Sequence, residues 1–284
     1  MTTNHQQALQ VARTLGLDRL DAQLLLLHAL DRPFSDRAWL LAHEDDPLTE
    51  TAAEAFQLLS RRRAAGEPLA YIVGYKDFFG LRFKVDTRVL VPRPDTETLV
   101  QWVLDVAETH HPDALKVLDL GTGSGAVAVA VATTLAHNRH TGAPTAEVHA
   151  VDASAGALAV AAANATALQS KVHFMESYWL DQVSGHYHII ASNPPYIGSA
   201  DPHLSDLMYE PREALTAGPD GLDDLRQIIA QAPSHLLPGG WLLLEHGYDQ
   251  AHTVRALLIQ QGFSQVQSRQ DLAGIARCSG GQWL

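Results

Sequence analysis

The chain has 284 residues, 46% of them hydrophobic, and a mean hydropathy of -0.07, a soluble globular composition with room for one large domain and a small one. A formal net charge of -12 argues against a protein built to grip nucleic-acid phosphates, because that affinity comes mainly from Lys and Arg. No apolar stretch approaches the roughly 20 residues of a membrane helix, the opening residues carry no secretory pattern, and the single cysteine, Cys278, excludes a disulfide within the chain; together these predict a cytoplasmic protein with no membrane partner.

The segment from Gln6 to Ala65 reads as helical. "LDAQLLLLHAL" and "ETAAEAFQLLSRRRAAG" place apolar residues at helical spacing, with Asp18 and Thr49 as N-caps and Gly66 as a stop signal. A small helical bundle over residues 1–74 is expected. Arg61-Arg62-Arg63 closes its last long helix, either as a solvated end facing the negative pole of the dipole or as a contact for an acidic partner. From Tyr75 to Val91 aromatic and branched residues alternate with polar ones around Gly80, the pattern of a hairpin. Pro92 and Pro94 end it, so 75–94 is expected as a β-hairpin linker, with a helix beginning near Asp95 or Thr96.

Beyond this point strands and helices alternate. "KVLDLG", "EVHAVDAS", "KVHFME", "YHIIASN" and "GGWLLLEHG" read as strands; "GAVAVAVATTLA", "AGALAVAAANATAL" and "DDLRQIIAQAPSHL" read as helices. Such alternation predicts an α/β domain over 95–284 with a mostly parallel, Rossmann-like sheet. The stretch from Phe263 to Leu284 reads as a terminal pair of strands. The 15 histidines are scattered. His110-His111 and His186/His188 lack metal-ligand spacing, so no metal site is expected.

Two features carry chemistry. In "VLDLGTGSGAVAVA" a strand meets Gly121-Thr122-Gly123-Ser124-Gly125 and then a helix. The spacing is neither the dinucleotide fingerprint nor a Walker loop, but it lets backbone approach a ligand closely. Asp119, just before it, is placed to order the turn or accept from a ligand amine. Asp152 ends the next strand, where a carboxylate accepts from ribose hydroxyls or, alternatively, caps the following helix. "AHNRHTGAPTAE" reads as a loop insertion between these features. The second feature is Asn193-Pro194-Pro195-Tyr196, which ends an apolar strand through an amide, two prolines and an aromatic ring.

On these motifs, together with "VLVPRPDTETLV", "YEPREAL", "LLPGGWLLLEHG" and "DLAGIAR", nearly the whole chain resembles a known family. It is the HemK/PrmC type of S-adenosylmethionine-dependent methyltransferase, which acts on a glutamine side chain of peptide chain release factors. The resemblance implies a class I methyltransferase sheet with a small N-terminal helical domain that recognises the partner. It implies S-adenosylmethionine as cofactor, class 1 release factors as substrate, a monomer, and no stable nucleic-acid binding. Gly121 to Gly125 and Asp152 would hold the methionine and ribose parts of the cofactor, Trp179 would lie against adenine, and Asn193 would touch both cofactor and substrate. Relatives often carry an acidic residue just before that tryptophan. Here it is Tyr178, so an acceptor for the adenine amine is expected from backbone or, after a register shift, from Glu176.

An amide nitrogen is a poor nucleophile with no useful pKa for a general base at neutral pH. The Asn193 side-chain carbonyl and the Pro194 backbone carbonyl are therefore read as two acceptors for a planar –NH2 group. Pro195, which lacks an N–H, keeps the corner out of a sheet ladder and stiffens it. Tyr196 is expected to pack on the target group. Two rivals stand beside this reading: methylation of an exocyclic adenine amine in nucleic acid, and a binding protein that kept only the fold. Gly280-Gly281-Gln282 repeats the tripeptide that release factors present to the family, by chance or as a site of self-methylation or autoinhibition.

Overall fold

The computed structural model describes residues 3–109, 114–138 and 145–284. The chain divides into two compact units, Met1–Tyr75 and Lys76–Leu284. His110-His111 and residues 139–144, the middle of "AHNRHTGAPTAE", lie outside the described residues.

The first unit contains α1 (His5–Thr14), α2 (Arg19–Ala29), α3 (Arg37–Ala42), α4 (Glu50–Ala64) and α5 (Leu69–Val73). Its helix starts follow local side-chain chemistry. Asn4 and Gln7 form a capping box. Asp18 accepts from the Asp21 N–H at 2.8 Å, and Thr49 accepts from the Ala52 N–H at 3.2 Å, so both caps expected from sequence are present. The core buries Leu25, Leu26, Leu27, Leu40, Phe56 and Ile72. Two cations of the arginine run are engaged inside this unit. Arg62 holds Glu67 through two contacts of 2.8 and 2.5 Å, and Arg63 reaches Asp21 at 2.5 Å. The run thus serves to tie down the end of α4.

A hairpin, β1 (Tyr75–Phe78) and β2 (Leu81–Lys84), turns through Phe79 and Gly80. The alternation extends to Val91 in sequence, but the ladder stops at Lys84. Asp86 explains why: its side chain accepts from the Arg88 N–H at 3.0 Å, and its carbonyl accepts from the Val89 N–H at 3.1 Å. That local turn replaces strand pairing. Val85, Val89 and Val91 are still buried, so their spacing reports burial, not a sheet. A short 3-10 turn over Pro94–Thr96 leads into α6 (Glu97–Thr109).

The remaining elements are β3 (Ala114–Leu120), α7 (Ala126–Asn138), β4 (Thr145–Asp152), α8 (Ala155–Ala167), β5 (His173–Glu176), β6 (Tyr187–Ser192), α9 (Asp223–Gln231), β7 (Leu236–Glu245), α10 (Ala251–Gln261), β8 (Ser264–Gln270) and β9 (Ala276–Gln282). They form a seven-stranded sheet in the order β5-β4-β3-β6-β7-β9-β8. From β5 to β7 neighbours run parallel, and β9 enters antiparallel to β7 and β8. Central strands are apolar on both faces, as a covered parallel sheet requires. Along β6, Ile189 and Ala191 join one core with residues of α6 and α7, while Ile190 joins the other with residues of α9 and α10. The Ala/Val-rich start of α7 is buried from Ala126 to Ala132, which tolerates its low amphipathicity.

Two details differ from expectation. The helix expected through His235 ends at Gln231 and passes into a 3-10 turn containing Pro233, because proline cannot supply the next N–H. The helix α10 has no counterpart in the sequence reading. Its N-cap makes no side-chain bond, and only Val254 and Leu258 are buried. Its one strong signal is Gly262 at its C-terminus, with φ 104°. Chain order reverses between β3's neighbours, β4 and β6, which opens a crevice at the carboxyl ends of the parallel strands.

Candidate active site

The glycine loop leaves β3 at the sheet's carboxyl edge, and its shape is held by two acids. Asp119 accepts from the Thr122 hydroxyl at 2.6 Å and from the Ala128 N–H at 3.2 Å. It therefore orders the turn and satisfies a free N–H in the first turn of α7. Burial pushes its pKa up to about 7 against those two bonds. Asp152 accepts from the Gly123 N–H at 2.8 Å with one oxygen and from the Ser154 N–H at 2.9 Å with the other. Its pKa is raised by burial, and further by the charge of Glu213, against bonds from backbone N–H groups. The cap of α8 is Ser154, not Asp152. Asp152 is thus left tying the loop to the end of β4.

Gly121 has φ 68°, a left-handed conformation that side chains disfavour. A Cβ there would also sit 3.1 Å from the Trp179 ring. Gly125 meets a different neighbour: a Cβ there would lie 3.1 Å from the Ala161 Cβ, so this glycine serves the contact of α7 with α8.

β6 hands the chain to the Asn-Pro-Pro-Tyr corner. Ser192 donates to the Leu120 carbonyl at 2.8 Å, which locks the corner beside the glycine loop. The Asn193 amide nitrogen donates to the Thr96 hydroxyl at 3.2 Å. With the amide nitrogen turned to Thr96, Oδ1 is left as its acceptor. Pro194 is buried, while Pro195 and Tyr196 are partly exposed. The Tyr196 hydroxyl lies 3.5 Å from Glu245, and its carbonyl accepts from Gln250 at 3.0 Å. Burial, reinforced by the Glu245 charge, drives the phenol pKa upward.

These segments line one cavity of about 530 Å³, within the size range of cofactor sites. Gly121, Thr122, Gly123, Ser124, Asp152, Trp179, Asn193 and Pro195 all reach it, as do Asp119 and Thr96. Gly125, Pro194 and Tyr196 are not among its lining residues. Its charges are lopsided. Asp119, Asp152, Glu213 and Asp224 face Arg88 and Arg93, and both arginines are already paired, with Asp86 and Glu210. The cavity favours a ligand that carries positive charge.

Comparison with known proteins decides what kind of protein holds this cavity. Residues 5–74 match the family model of the PrmC N-terminal domain, and residues 96–273 match that of the methyltransferase small domain. A release factor glutamine methyltransferase of Bordetella pertussis is 48% identical over 94% of this chain and 95% of the relative. One of Xylella fastidiosa strain Temecula1 is 46% identical over 96% and 98%. The chain belongs to the release factor glutamine methyltransferase family. The catalytic domain of human METTL16 in complex with an RNA hairpin shares the fold alone, at a TM-score of 0.58 and 16% identity, over 80% of this chain and 82% of that one.

In this member of the release factor glutamine methyltransferase family, the carboxylate that lies beside Trp179 is not Glu176. Glu176 stays in register opposite Asp152 in the β5–β4 ladder and is not among the lining residues. Instead Asp224, in the first turn of α9, accepts from Trp179 Nε1 at 3.1 Å and from the Tyr178 hydroxyl at 3.4 Å. Burial raises its pKa against these bonds. Trp179 has φ 46°, backbone strain of the kind that clusters at ligand sites. Sequence reasoning missed Asp224 because a carboxylate in the first turn of a helix has an ordinary explanation in the helix dipole. It missed Thr96, Arg88 and Glu213 because they come from segments with no regular pattern. "YEPREAL", which contains Glu213, was the available signal.

Two features elsewhere resolve further expectations. The glutamine of the C-terminal Gly-Gly-Gln in this family member is a structural group. Gln282 donates to the Gly239 carbonyl at 2.8 Å and accepts from Gln265 at 2.5 Å. A Cβ on Gly280 would lie 2.6 Å from the Leu242 carbonyl and one on Gly281 2.9 Å from Phe263. The tripeptide exists here because β9 is squeezed between its neighbours. Among the described residues, Glu147, His149 and His173 bring possible metal-ligand atoms within 4.8 Å of one another. His149 and His173 are register partners on β4 and β5, a closeness invisible in sequence spacing. Both His149 nitrogens are already engaged, with Tyr187 at 2.8 Å and Glu147 at 2.9 Å.

Proposed function

We propose that this chain methylates the side-chain amide nitrogen of the glutamine in the Gly-Gly-Gln motif of class 1 peptide chain release factors. The observation that carries the reading is the Asn193 corner opening into an acidic, glycine-lined cavity, in a chain 48% identical to a relative of that name. The cavity fits S-adenosylmethionine. Four carboxylates suit its sulfonium and ammonium charges, and Gly121, which carries no side chain, leaves a surface beside Trp179 against which a flat ring can lie. S-adenosylmethionine supplies an electrophilic methyl group on sulfur.

The protein's share is binding and orientation. The Gly121–Gly125 loop and Asp152 hold the methionine and ribose parts, Trp179 covers the adenine, and Asp224 stands beside it as a carboxylate acceptor. Asn193 Oδ1 and the Pro194 carbonyl accept the two N–H groups of the substrate amide, with Pro195 and Tyr196 bracing the corner. Held this way, the amide nitrogen would be presented to the methyl group that S-adenosylmethionine supplies, and its displaced N–H proton would pass to water. Proximity and preorganised acceptors lower the barrier, with no general base required. The helical unit over 1–74 recognises the release factor, because one glutamine side chain cannot supply specificity. The reading carries a cytoplasmic location with it. Among the described residues no helix is long and apolar enough to cross a membrane.

The test is a peptide map, by mass spectrometry, of a purified release factor incubated with this protein and labelled methyl donor, with DNA and RNA in parallel. Label on the Gly-Gly-Gln glutamine is the expected outcome; label on nucleic acid alone would replace this reading with its rival. Asn193→Ala should bind cofactor nearly as wild type and lose turnover by about 100-fold or more.

A further inference from the structure

Behind the Asn193 corner lies a buried acid that the mechanism above does not use. Glu245 ends β7 and is 1% exposed. Its Oε1 lies 3.5 Å from the Tyr196 hydroxyl, and its Oε2 has no hydrogen-bond partner among the described residues. An orphaned carboxylate oxygen in a core is costly, and such a group calls for a role. The groups facing it come from three directions. Asp95 and Thr96 stand at the entry to α6, Tyr196 follows β6, and Arg277 and Cys278 lie on β9. Arg277 is held by Asp95 and Asp271, each at 3.1 Å, so it does not neutralise Glu245 by direct contact.

Thr96 is the link to the active site. Its hydroxyl accepts from Asn193 Nδ2 at 3.2 Å and stands beside the Glu245 carboxylate. A hydroxyl has one proton. When that proton points at Glu245, the oxygen lone pairs face Asn193 and can receive only the –NH2 end of its amide. We infer that Glu245, acting through Thr96, is the positioning residue that sets which end of the Asn193 amide faces the cavity. A reversed Asn193 would present N–H donors to a substrate that also offers N–H donors, and the clamp would fail. This inference rests on the proposed glutamine methylation for its kinetic consequence but not for its structural one.

Burial pushes the Glu245 pKa up to about 7, with Thr96, Arg277 and Tyr196 pulling it down and Asp95 adding to the rise. Below that pH the protonated carboxyl donates to Thr96 instead of accepting from it, and the orientation of Asn193 is lost. Asp119 also has its pKa near 7, but it belongs to the glycine loop, so saturating cofactor separates its effect.

The experiment compares wild type, Glu245→Met, Thr96→Val and Thr96→Ser in single-turnover methyl transfer to a release factor at saturating cofactor. It adds the 15N resonances of the Asn193 side-chain amide in the cofactor-free proteins. Methionine has the length of glutamate but no oxygen to accept from Thr96. Glu245→Met and Thr96→Val should each slow transfer by about 100-fold, the scale of a misplaced reacting group. Cofactor affinity should stay within about threefold in Glu245→Met, because Glu245 does not line the cavity. Thr96→Ser should keep the wild-type rate. The double variant should be no slower than either single one, since both act on one unit. The wild-type rate should rise with pH to a plateau above 7, and Glu245→Met should lose that rise. The Asn193 amide protons should be slow to exchange in wild type and fast in Glu245→Met. Near-normal transfer by folded Glu245→Met, or multiplicative losses in the double variant, overturns the inference. If wild type itself transfers no methyl to release factors, the proposed function fails, and the amide-exchange comparison still decides the role of Glu245.

Discussion

The Asp152 carboxylate accepts a hydrogen bond from the Gly123 backbone N–H at 2.8 Å. One oxygen of an acid at the end of β4 thereby holds open the glycine loop that begins at the end of β3. The ribose-binding role proposed for Asp152 and the shape of the loop are coupled through this one side chain.

Removing the acid should therefore cost more than a ribose contact. Asp152→Ala is expected to weaken S-adenosylmethionine binding by about 10- to 100-fold, the range for losing hydrogen bonds to a charged group. Asp152→Asn, which keeps one acceptor oxygen for the loop, should lose less. Isothermal titration with cofactor measures both, and equal losses would show that only the negative charge counts.

Gly121 faces the Trp179 ring so closely that a methyl group there would stand 3.1 Å from Cζ3. Gly121→Ala should abolish measurable cofactor binding and lower the melting temperature, because the new side chain is disfavoured at φ 68° as well as crowded. Trp179→Ala in the same background should return part of the stability by removing the crowding. It should leave affinity low, because the ring surface goes with it. Thermal melts and cofactor titration of wild type and the two variants test this, and recovery of both quantities would show that Trp179 is not a binding surface.

Much of this site was legible in sequence because its main parts have local signatures. A glycine-rich turn between strand and helix, an acid at a strand end and two successive prolines each declare a backbone geometry, and the parallel sheet brings them to one edge. What was not legible depends on side chains meeting across the fold. Asp224 reaches Trp179 across 45 positions, and Thr96 reaches Asn193 across 97. Neither pairing leaves a trace in spacing. The helix α10 escaped for the opposite reason: its signal is local but thin, with two buried residues and no side-chain N-cap. Gly280-Gly281-Gln282, left open between chance and a role, has its glycines accounted for by the close packing of β9, which no spacing in the sequence reveals.

The two buried acids make stability depend on pH in an unusual direction. For Glu245 the unfolded chain has its ordinary value of 4.5, and the folded protein about 7. Asp119 moves the same way, from 3.8 to about 7. Between those limits the folded state holds more protons than the unfolded one, so folding weakens as pH rises from about 4 to 7 and levels off above. Each acid contributes at most about 3 to 4 kcal/mol to this loss, the free-energy equivalent of its shift. Glu245→Gln and Asp119→Asn carry no such charge. Each should therefore gain melting temperature relative to wild type as pH is raised from 5 to 8, with the gap largest at 8. The gain for Asp119→Asn should be the smaller, because an ionised Asp119 accepts from both Thr122 and Ala128 through Oδ2, and the neutral amide oxygen that takes its place is a weaker acceptor. Melts of the three proteins across that pH range check the sign. Variants less stable than wild type by an amount that stays level from pH 5 to 8 would mean that the acids are ionised and stabilising in the folded state, and that their burial is compensated.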